Sequence, residues 1–136
     1  MTPVQTTDGS ERMSVVLNDE HLGDVKILEK DSDNCRIKCE LAMPELGHSK
    51  QKATLLAFAA LDYFFERSRV VKVCVDVIAT DLARLDFYRF LGFAEEGRLS
   101  RHQSMGERFC DLILMAHFRE TWDKKRKHLE DFLEQA

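Results

Sequence analysis

Several features are absent from this 136-residue sequence, and each absence excludes a class of protein. Its cysteines form no C-x-x-C pair, so we expect no zinc or other metal site and predict reduced thiols. No apolar run approaches the ~20 residues that a membrane-spanning helix requires, so no membrane association is expected. A basic excess is also missing, because the net charge is −4, which argues against general nucleic-acid binding.

The N-terminus shows neither an apolar segment typical of a targeting signal nor a regular pattern of apolar positions. Residues 1–12 are therefore predicted to be disordered. Together with the scattered cysteines, this pattern predicts a cytoplasmic protein. Since no internal repeat and no low-complexity linker appear, residues 13–136 are predicted to form one domain, which is large enough to bury a hydrophobic core.

The first part of this predicted domain alternates apolar and polar residues with the period of a β-strand. Three runs show the alternation: MSVVLN (13–18), VKILEK (25–30) and CRIKCELAM (35–43). Pro44 ends the third run, because proline cannot donate a hydrogen bond to a neighbouring strand. The turns between the runs are short, so we predict an antiparallel meander.

The period then changes to that of helices. The Ala- and Leu-rich run Ala53–Glu66 predicts a largely buried helix, and the apolar run 70–78 predicts a central strand covered on both faces. A second helix is predicted over residues 80–91, with Thr80 or Asp81 as its N-cap and Gly92 just beyond its end.

Two further strands are predicted around the polar segment RHQSMG, followed by a charged amphipathic helix at about 119–135. The predicted order is β-β-β-α-β-α-β-β-α. The predicted class is α/β (α+β), a mixed, mostly antiparallel sheet with helices on both faces. One side of the last helix is apolar, which indicates either packing on the core or a homodimer contact; its members are Trp122, Leu129, Phe132 and Leu133.

Four segments follow one another along the chain: ATLLAFAALDYFF (53–65), VVKVCVDVIATD (70–81), ARLDFYRFLGFAEEGRL (83–99) and GERFCDLILM (106–115). In this combination the sequence resembles the GCN5-related N-acetyltransferase superfamily, in particular its ribosomal-protein alanine and spermidine acetyltransferase branch. The resemblance implies an acyl-coenzyme A binding fold, with acetyl-CoA as cosubstrate. The implied acceptor is a small-molecule or protein primary amine: a protein N-terminus, a polyamine or an amino sugar.

The resemblance also implies where the cofactor would lie, at the end of one strand and at the amides that begin the next helix. Helix N-terminal amides carry partial positive charge and suit a pyrophosphate. Asp81 falls where the family usually has an asparagine that contacts the pantetheine arm. The implied cofactor-binding residues are Leu41, Ala42, Met43, His48, Ser49, Lys50, Gln51, Lys52, Ala53, Thr54, Asp81 and Arg84.

Two features depart from the family pattern. The phosphate-binding loop reads ELGHSKQKAT, with Ser49 and Gln51 where the family has glycines, although Lys50 and Lys52 supply positive charge. A strand and two helices that usually precede MSVVLN, and that form one wall of the acceptor site, have no counterpart here. These departures support an alternative hypothesis, a catalytically silent acetyltransferase-like domain that binds a ligand or a protein partner.

Direct acyl transfer to an amine requires a base, a donor that polarises the thioester carbonyl, and an acid for the leaving thiolate. Tyr88 falls on the family tyrosine that returns a proton to the thiolate, so the resemblance makes it the catalytic acid; the alternative is a buried aromatic residue. A strand amide within residues 41–43 would polarise the carbonyl. The base stays open among candidates that could equally be solvated surface residues: Glu40, Glu45, His48 and His102.

Two further groups are interpreted structurally. Asp111 is predicted to pair with a backbone group or with an arginine such as Arg98 or Arg101. The basic run 124–127 lies among acidic residues on the last predicted helix, so it is interpreted as a solvated helix face and not as a nucleic-acid patch.

Overall fold

A computed structural model describes residues 2–5, 11–42 and 50–135 of the chain. Within these ranges the chain forms seven strands and three helices. The strands are β1 (Thr2–Gln5), β2 (Glu11–Leu17), β3 (Glu20–Asp31), β4 (Arg36–Ala42), β5 (Lys72–Ile78), β6 (Ala94–Met105) and β7 (Arg108–Phe118). The helices are α1 (Lys50–Asp62), which continues as a π-helical turn (Tyr63–Arg67), α2 (Leu82–Leu91) and α3 (Arg119–Glu134).

All seven strands belong to one sheet, in the order β1-β2-β3-β4-β5-β7-β6. Every neighbouring pair is antiparallel except β4 and β5, which are parallel. The predicted meander of β2, β3 and β4 is confirmed. Parallel neighbours cannot be joined by a hairpin, so α1 provides the crossover between β4 and β5.

Within the region 1–12 that is predicted to be disordered, the described residues 2–5 and 11–12 lie in strands. Thr2–Gln5 pairs antiparallel with β2, and β2 itself begins at Glu11. Pairing along the edge of a sheet is made by backbone groups, so it requires no apolar pattern that the sequence could show. The predicted order of the remaining elements is confirmed, with β1 added in front.

The helices all pack against one face of the sheet, and the prediction of helices on both faces is wrong. The His117 side chain of β7 shows this arrangement, because it contacts all three helical segments. Its Nε2 lies 3.0 Å from the Leu91 carbonyl oxygen of α2, and its ring is 5.7 Å from Phe65 after α1 and 5.9 Å from Trp122 of α3.

The second face of the sheet is left without a helix in the described part of the chain. Along β5, Val73, Val75 and Val77 are buried beneath the helices, whereas the alternating residues Cys74 and Asp76 are only half-buried. The prediction that this strand is covered on both faces is therefore wrong. The run 70–78 looks almost continuously apolar in the sequence because Cys74, Val70 and Val71 are as apolar as the three core valines.

Helix α2 begins and ends as predicted. Asp81 is its N-cap, accepting a hydrogen bond from the Arg84 amide at 3.1 Å, and Gly92 adopts a left-handed conformation after the last turn. The Gly92 φ of +109° is a conformation that other residues adopt only with strain. Both local signals were readable because capping depends on residues close together in the chain.

The apolar side of α3 is turned into the molecule. Trp122 and Leu129 are fully buried, and the Phe132 ring packs 5.2 Å from Phe90 of α2. The predicted homodimer stays a prediction. The charged side is the solvated face that the sequence predicts, since Arg126 pairs with Glu130 at 3.1 Å.

The polar segment RHQSMG forms part of a long hairpin, where the sequence predicts a break between two strands. Strand β6 continues through it to Met105, and Gly106 forms the turn with a φ of +70°. The register with β7 shifts between Leu99 and Gln103. Asp111 stabilises this irregular segment as predicted, because its carboxylate accepts hydrogen bonds from the Arg98 side chain at 2.7 Å and from a backbone amide of the segment at 2.9 Å.

In the described ranges, the chain contains no helix with the length and apolar character needed to cross a membrane.

Replacing Gly92 with alanine is expected to destabilise the fold more than replacing Gly106. A Cβ at Gly92 would lie 2.6 Å from His117 Nε2, whereas a Cβ at Gly106 meets no atom within 4 Å. Gly106→Ala should cost about 1–2 kcal/mol for the left-handed backbone, and Gly92→Ala roughly 2–5 kcal/mol because overpacking is added. Urea denaturation of the two variants checks this, and equal losses would contradict the packing at Gly92.

His117 is expected to make stability depend on pH. Burial lowers its pKa from the ordinary 6.5 to about 4, so between these values the unfolded chain binds a proton that the folded chain does not. The free energy of unfolding should therefore have its highest contribution from His117 above pH 6.5. It should fall by about 3 kcal/mol as the pH drops to 4. Denaturation of wild type and His117→Gln at several pH values checks this. A pH dependence unchanged in the variant would show that His117 does not contribute.

Candidate active site

The site is created by the divergence of β4 and β5. These parallel strands pair only from Arg36↔Lys72 to Lys38↔Cys74, although β4 continues to Ala42 and β5 to Ile78. Beyond the last pair, each strand keeps only its outer partner, β3 or β7. Backbone groups of both strands therefore face a gap, where they can bind a ligand.

A cleft of about 450 Å³ occupies this gap and is lined by residues from both faces of the sheet. Cys39 and Val77 line it from the helix-covered face, with Tyr88 of α2 above them. Glu40 and Asp76 line it from the open face, because successive strand residues point to opposite sides. The cleft therefore has a buried wall that contains an aromatic ring under the helices and a carboxylate-lined entrance on the open face.

Tyr88 is held in the cleft by its helix. Leu85, Tyr88 and Leu91 are spaced three residues apart on the buried side of α2, and the tyrosine ring lies 5.1 Å from the Phe93 ring. The Arg84 side chain and the Leu41 backbone lie beside the hydroxyl and act to lower its pKa. Burial outweighs both influences and raises the pKa of Tyr88 to about 12, so the phenol is protonated at neutral pH.

Asp81 and Arg84 also line the cleft, at the start of α2. Besides capping the helix, the Asp81 carboxylate binds Arg84 Nε at 3.3 Å, which directs the guanidinium towards the tyrosine. Sequence reasoning thus placed three residues that the fold brings together. A cofactor contact by Asp81 or Arg84 stays a prediction.

Asp76 was missed by sequence reasoning. Its carboxylate forms an ion pair with Lys38 across the two diverging strands, and this partner raises the pKa of the Lys38 ammonium. The sequence signal that could have identified Asp76 is that it is the single acidic residue within the apolar run of β5. Of the bases considered from the sequence, Glu40 lines the cleft and His102 is exposed on β6; Glu45 and His48 lie outside the described residues.

The residues predicted to hold the pyrophosphate begin α1, and their side chains have other contacts. Lys50 Nζ lies 4.1 Å from the Phe90 ring centre, Gln51 donates to the Phe132 carbonyl at 3.3 Å, and Lys52 pairs with Glu20 at 2.9 Å. The predicted Met43, His48 and Ser49 lie outside the described residues, so the phosphate-binding role stays a prediction.

The N-terminus of α1 nevertheless fits an anionic group. It has no acidic residue in its first turn, and its first amides have no partner within the helix. Ala53 and Thr54 are buried there, and Thr54 Oγ1 lacks a hydrogen-bond partner among the described residues. The strand ends Leu41 and Ala42 border the gap. The N-terminus of α1 therefore fits the phosphate part of a coenzyme A molecule. The ends of the strands fit its pantetheine part.

No group of three or more His, Cys, Asp or Glu side chains in the described part of the chain could hold a metal ion.

This fold, a mixed sheet opened between two parallel strands, is similar to that of solved N-acetyltransferases. Spermidine/spermine N-acetyltransferase SpeG from Vibrio cholerae, solved with manganese ions, superposes with a TM-score of 0.75 at 21% identity, over 88% of this chain and 71% of that one. A chimera of SpeG from Vibrio cholerae and hSSAT gives 0.74 at 21%, over 85% and 70%. A chain named only as a candidate acetyltransferase gives 0.78 at 17%, over 92% and 67%.

These likenesses confirm the predicted fold, which is shared with the solved acetyltransferase structures named above. No protein-family model matches the chain, and no curated protein matches its sequence. At such low identity the superpositions establish the fold alone.

The cap formed by Asp81 can be separated from any role in ligand binding. Asp81→Ala should lower the free energy of unfolding by about 1 kcal/mol, because it removes the acceptor for the Arg84 amide. Asp81→Asn keeps a capping oxygen and should stay within a few tenths of the wild-type value. Thermal or urea denaturation measures both, and equal stability of the alanine variant would disprove the cap.

Proposed function

We propose that this protein is an acyl-CoA-dependent N-acetyltransferase that transfers an acetyl group from acetyl-CoA to a primary amine. The observation that carries the proposal is the position of Tyr88 beside a gap between two parallel strands. A polyamine is the first acceptor to test, ahead of a protein N-terminus or an amino sugar, because the similar SpeG structures are spermidine acetyltransferases. The four cysteines are free, which fits the cytoplasmic location predicted from the sequence.

The chain offers two binding regions for the cosubstrate. The unpaired ends of β4 and β5, including Leu41 and Ala42, suit an extended pantetheine arm, since exposed strand amides and carbonyls can pair with its amide groups. The amides at residues 50–52, which have no partner within the helix, suit the pyrophosphate. When bound, acetyl-CoA supplies the activated thioester carbonyl that the acceptor nitrogen attacks.

The two sides of the cleft suit the two substrates. Tyr88 holds its proton on the helix-covered side, where it can protonate the leaving thiolate sulfur. On the open side, Glu40 and Asp76 provide carboxylates that attract an alkylammonium group and can accept its proton. This division keeps the proton donor and the proton acceptor on opposite sides of the reacting carbon.

Acetyl-CoA is expected to stabilise the protein against heat. At 100 times its dissociation constant it should add ~2.7 kcal/mol to the free energy of unfolding, which raises the melting temperature by several degrees. Thermal melting with and without millimolar acetyl-CoA checks this, with adenosine as the control ligand. An unchanged melting temperature would favour the alternative of a catalytically silent binding domain.

Tyr88→Phe is expected to lower kcat by about 10²–10⁴-fold, the usual contribution of a positioned proton donor. The ring stays in place, so the acetyl-CoA stabilisation should be retained. Tyr63→Phe is the matched control, because Tyr63 is the other tyrosine of the chain and lies in the π-helical turn, outside the cleft. Turnover equal to wild type in Tyr88→Phe would remove Tyr88 from the mechanism.

A further inference from the structure

The ion pair between Lys38 and Asp76 lies where the gap begins. Lys38 belongs to the last residue pair that joins β4 to β5, and Asp76 lies two residues further along β5. Both side chains project to the open face and are part-buried, with 26% and 22% of their surfaces exposed. The ammonium is therefore held at the carboxylate-lined entrance of the cleft.

Asp76 faces two cavities at once. It lines the cleft of about 450 Å³ that contains Tyr88, and it also lines a neighbouring cavity of about 550 Å³ on the open face, to which Lys38 belongs. A ligand amine that enters from the open face towards the tyrosine therefore meets Asp76. At that carboxylate it meets the lysine ammonium first.

We infer that Lys38 is a specificity-determining residue that competes with the acceptor amine for Asp76. The lysine ammonium and the ammonium of an aliphatic amine are the same chemical group, each with three donors for one carboxylate. An acceptor must displace Lys38 or use the carboxylate of Glu40 alone, so the resident lysine weakens the binding of cationic acceptors. This inference rests on the proposed function for the identity of its ligand.

A second ion pair on the same face provides a control. Lys72 binds Glu96 at 3.0 Å, and its side chain is 25% exposed, close to the value for Lys38. Lys72 and Glu96 line the neighbouring cavity together with Lys38. Unlike Asp76, neither of them lines the cleft that contains Tyr88. Removing the Lys72 charge therefore changes the charge of the open face equally, without releasing Asp76.

The test is isothermal titration of spermidine into four proteins without acetyl-CoA: wild type, Lys38→Met, Lys38→Arg and Lys72→Met. Lys38→Met should bind spermidine about 2–5-fold more tightly than wild type, the factor that corresponds to a part-exposed ion pair. Lys38→Arg keeps the competing charge and should bind as wild type does. Lys72→Met should also stay at the wild-type dissociation constant.

Unchanged or weaker binding by Lys38→Met overturns the inference, and so does an equal gain in Lys72→Met, which would reflect net charge alone. Absence of spermidine binding by all four proteins at millimolar concentration also overturns it. The melting experiment with acetyl-CoA reports separately on the proposed function. Tighter spermidine binding by Lys38→Met without any acetyl-CoA stabilisation would sustain the inference and reject the acetyltransferase proposal.

Discussion

The short pairing between β4 and β5 is the constraint on which the rest of this structure depends. Two parallel strands that could pair along their whole length do so over three residue pairs, and their remaining backbone groups face a gap. Unpaired backbone groups in a buried position are costly, so such a gap persists only where other contacts hold the strands apart. Here β3 and β7 hold the outer edges of β4 and β5 in long antiparallel registers.

The layer of helices keeps the gap open from one side and positions the tyrosine over it. Helix α2 is fixed at both ends, by Asp81 at its start and by the close approach of Gly92 to His117 at its end. Trp122 of α3 packs against Phe58 of α1 and against His117, so the three helices form a single packed layer. A hydroxyl held by such a layer has little freedom to turn away from the cleft.

The asymmetry of the two faces separates two kinds of chemistry. The helix-covered face is apolar and dehydrated, which favours the protonated form of Tyr88. The open face carries ion pairs and part-exposed carboxylates such as Asp76, which favour cations. Because residues from both faces line the cleft, a neutral acid and a carboxylate lie on opposite sides of one small volume.

Local patterns in the sequence determined much of the fold. Alternation of period two placed β2, β3 and β4, helical spacing placed α1, α2 and α3, and the capping residues Asp81 and Gly92 set the ends of α2. Tyr88 was found because its surrounding motif, with the family likeness, marked it. These features were readable because each depends on residues within about one helical turn or one strand.

Only the tertiary structure decided the rest. The pairing of Lys38 with Asp76 depends on the parallel register that the α1 crossover imposes between strands far apart in the sequence. The contacts of Lys50 and Gln51 depend on where α2 and α3 pack, and the bare second face depends on all three helices lying on the first. No local periodicity encodes which distant side chains meet, because that outcome is fixed by packing of the whole chain.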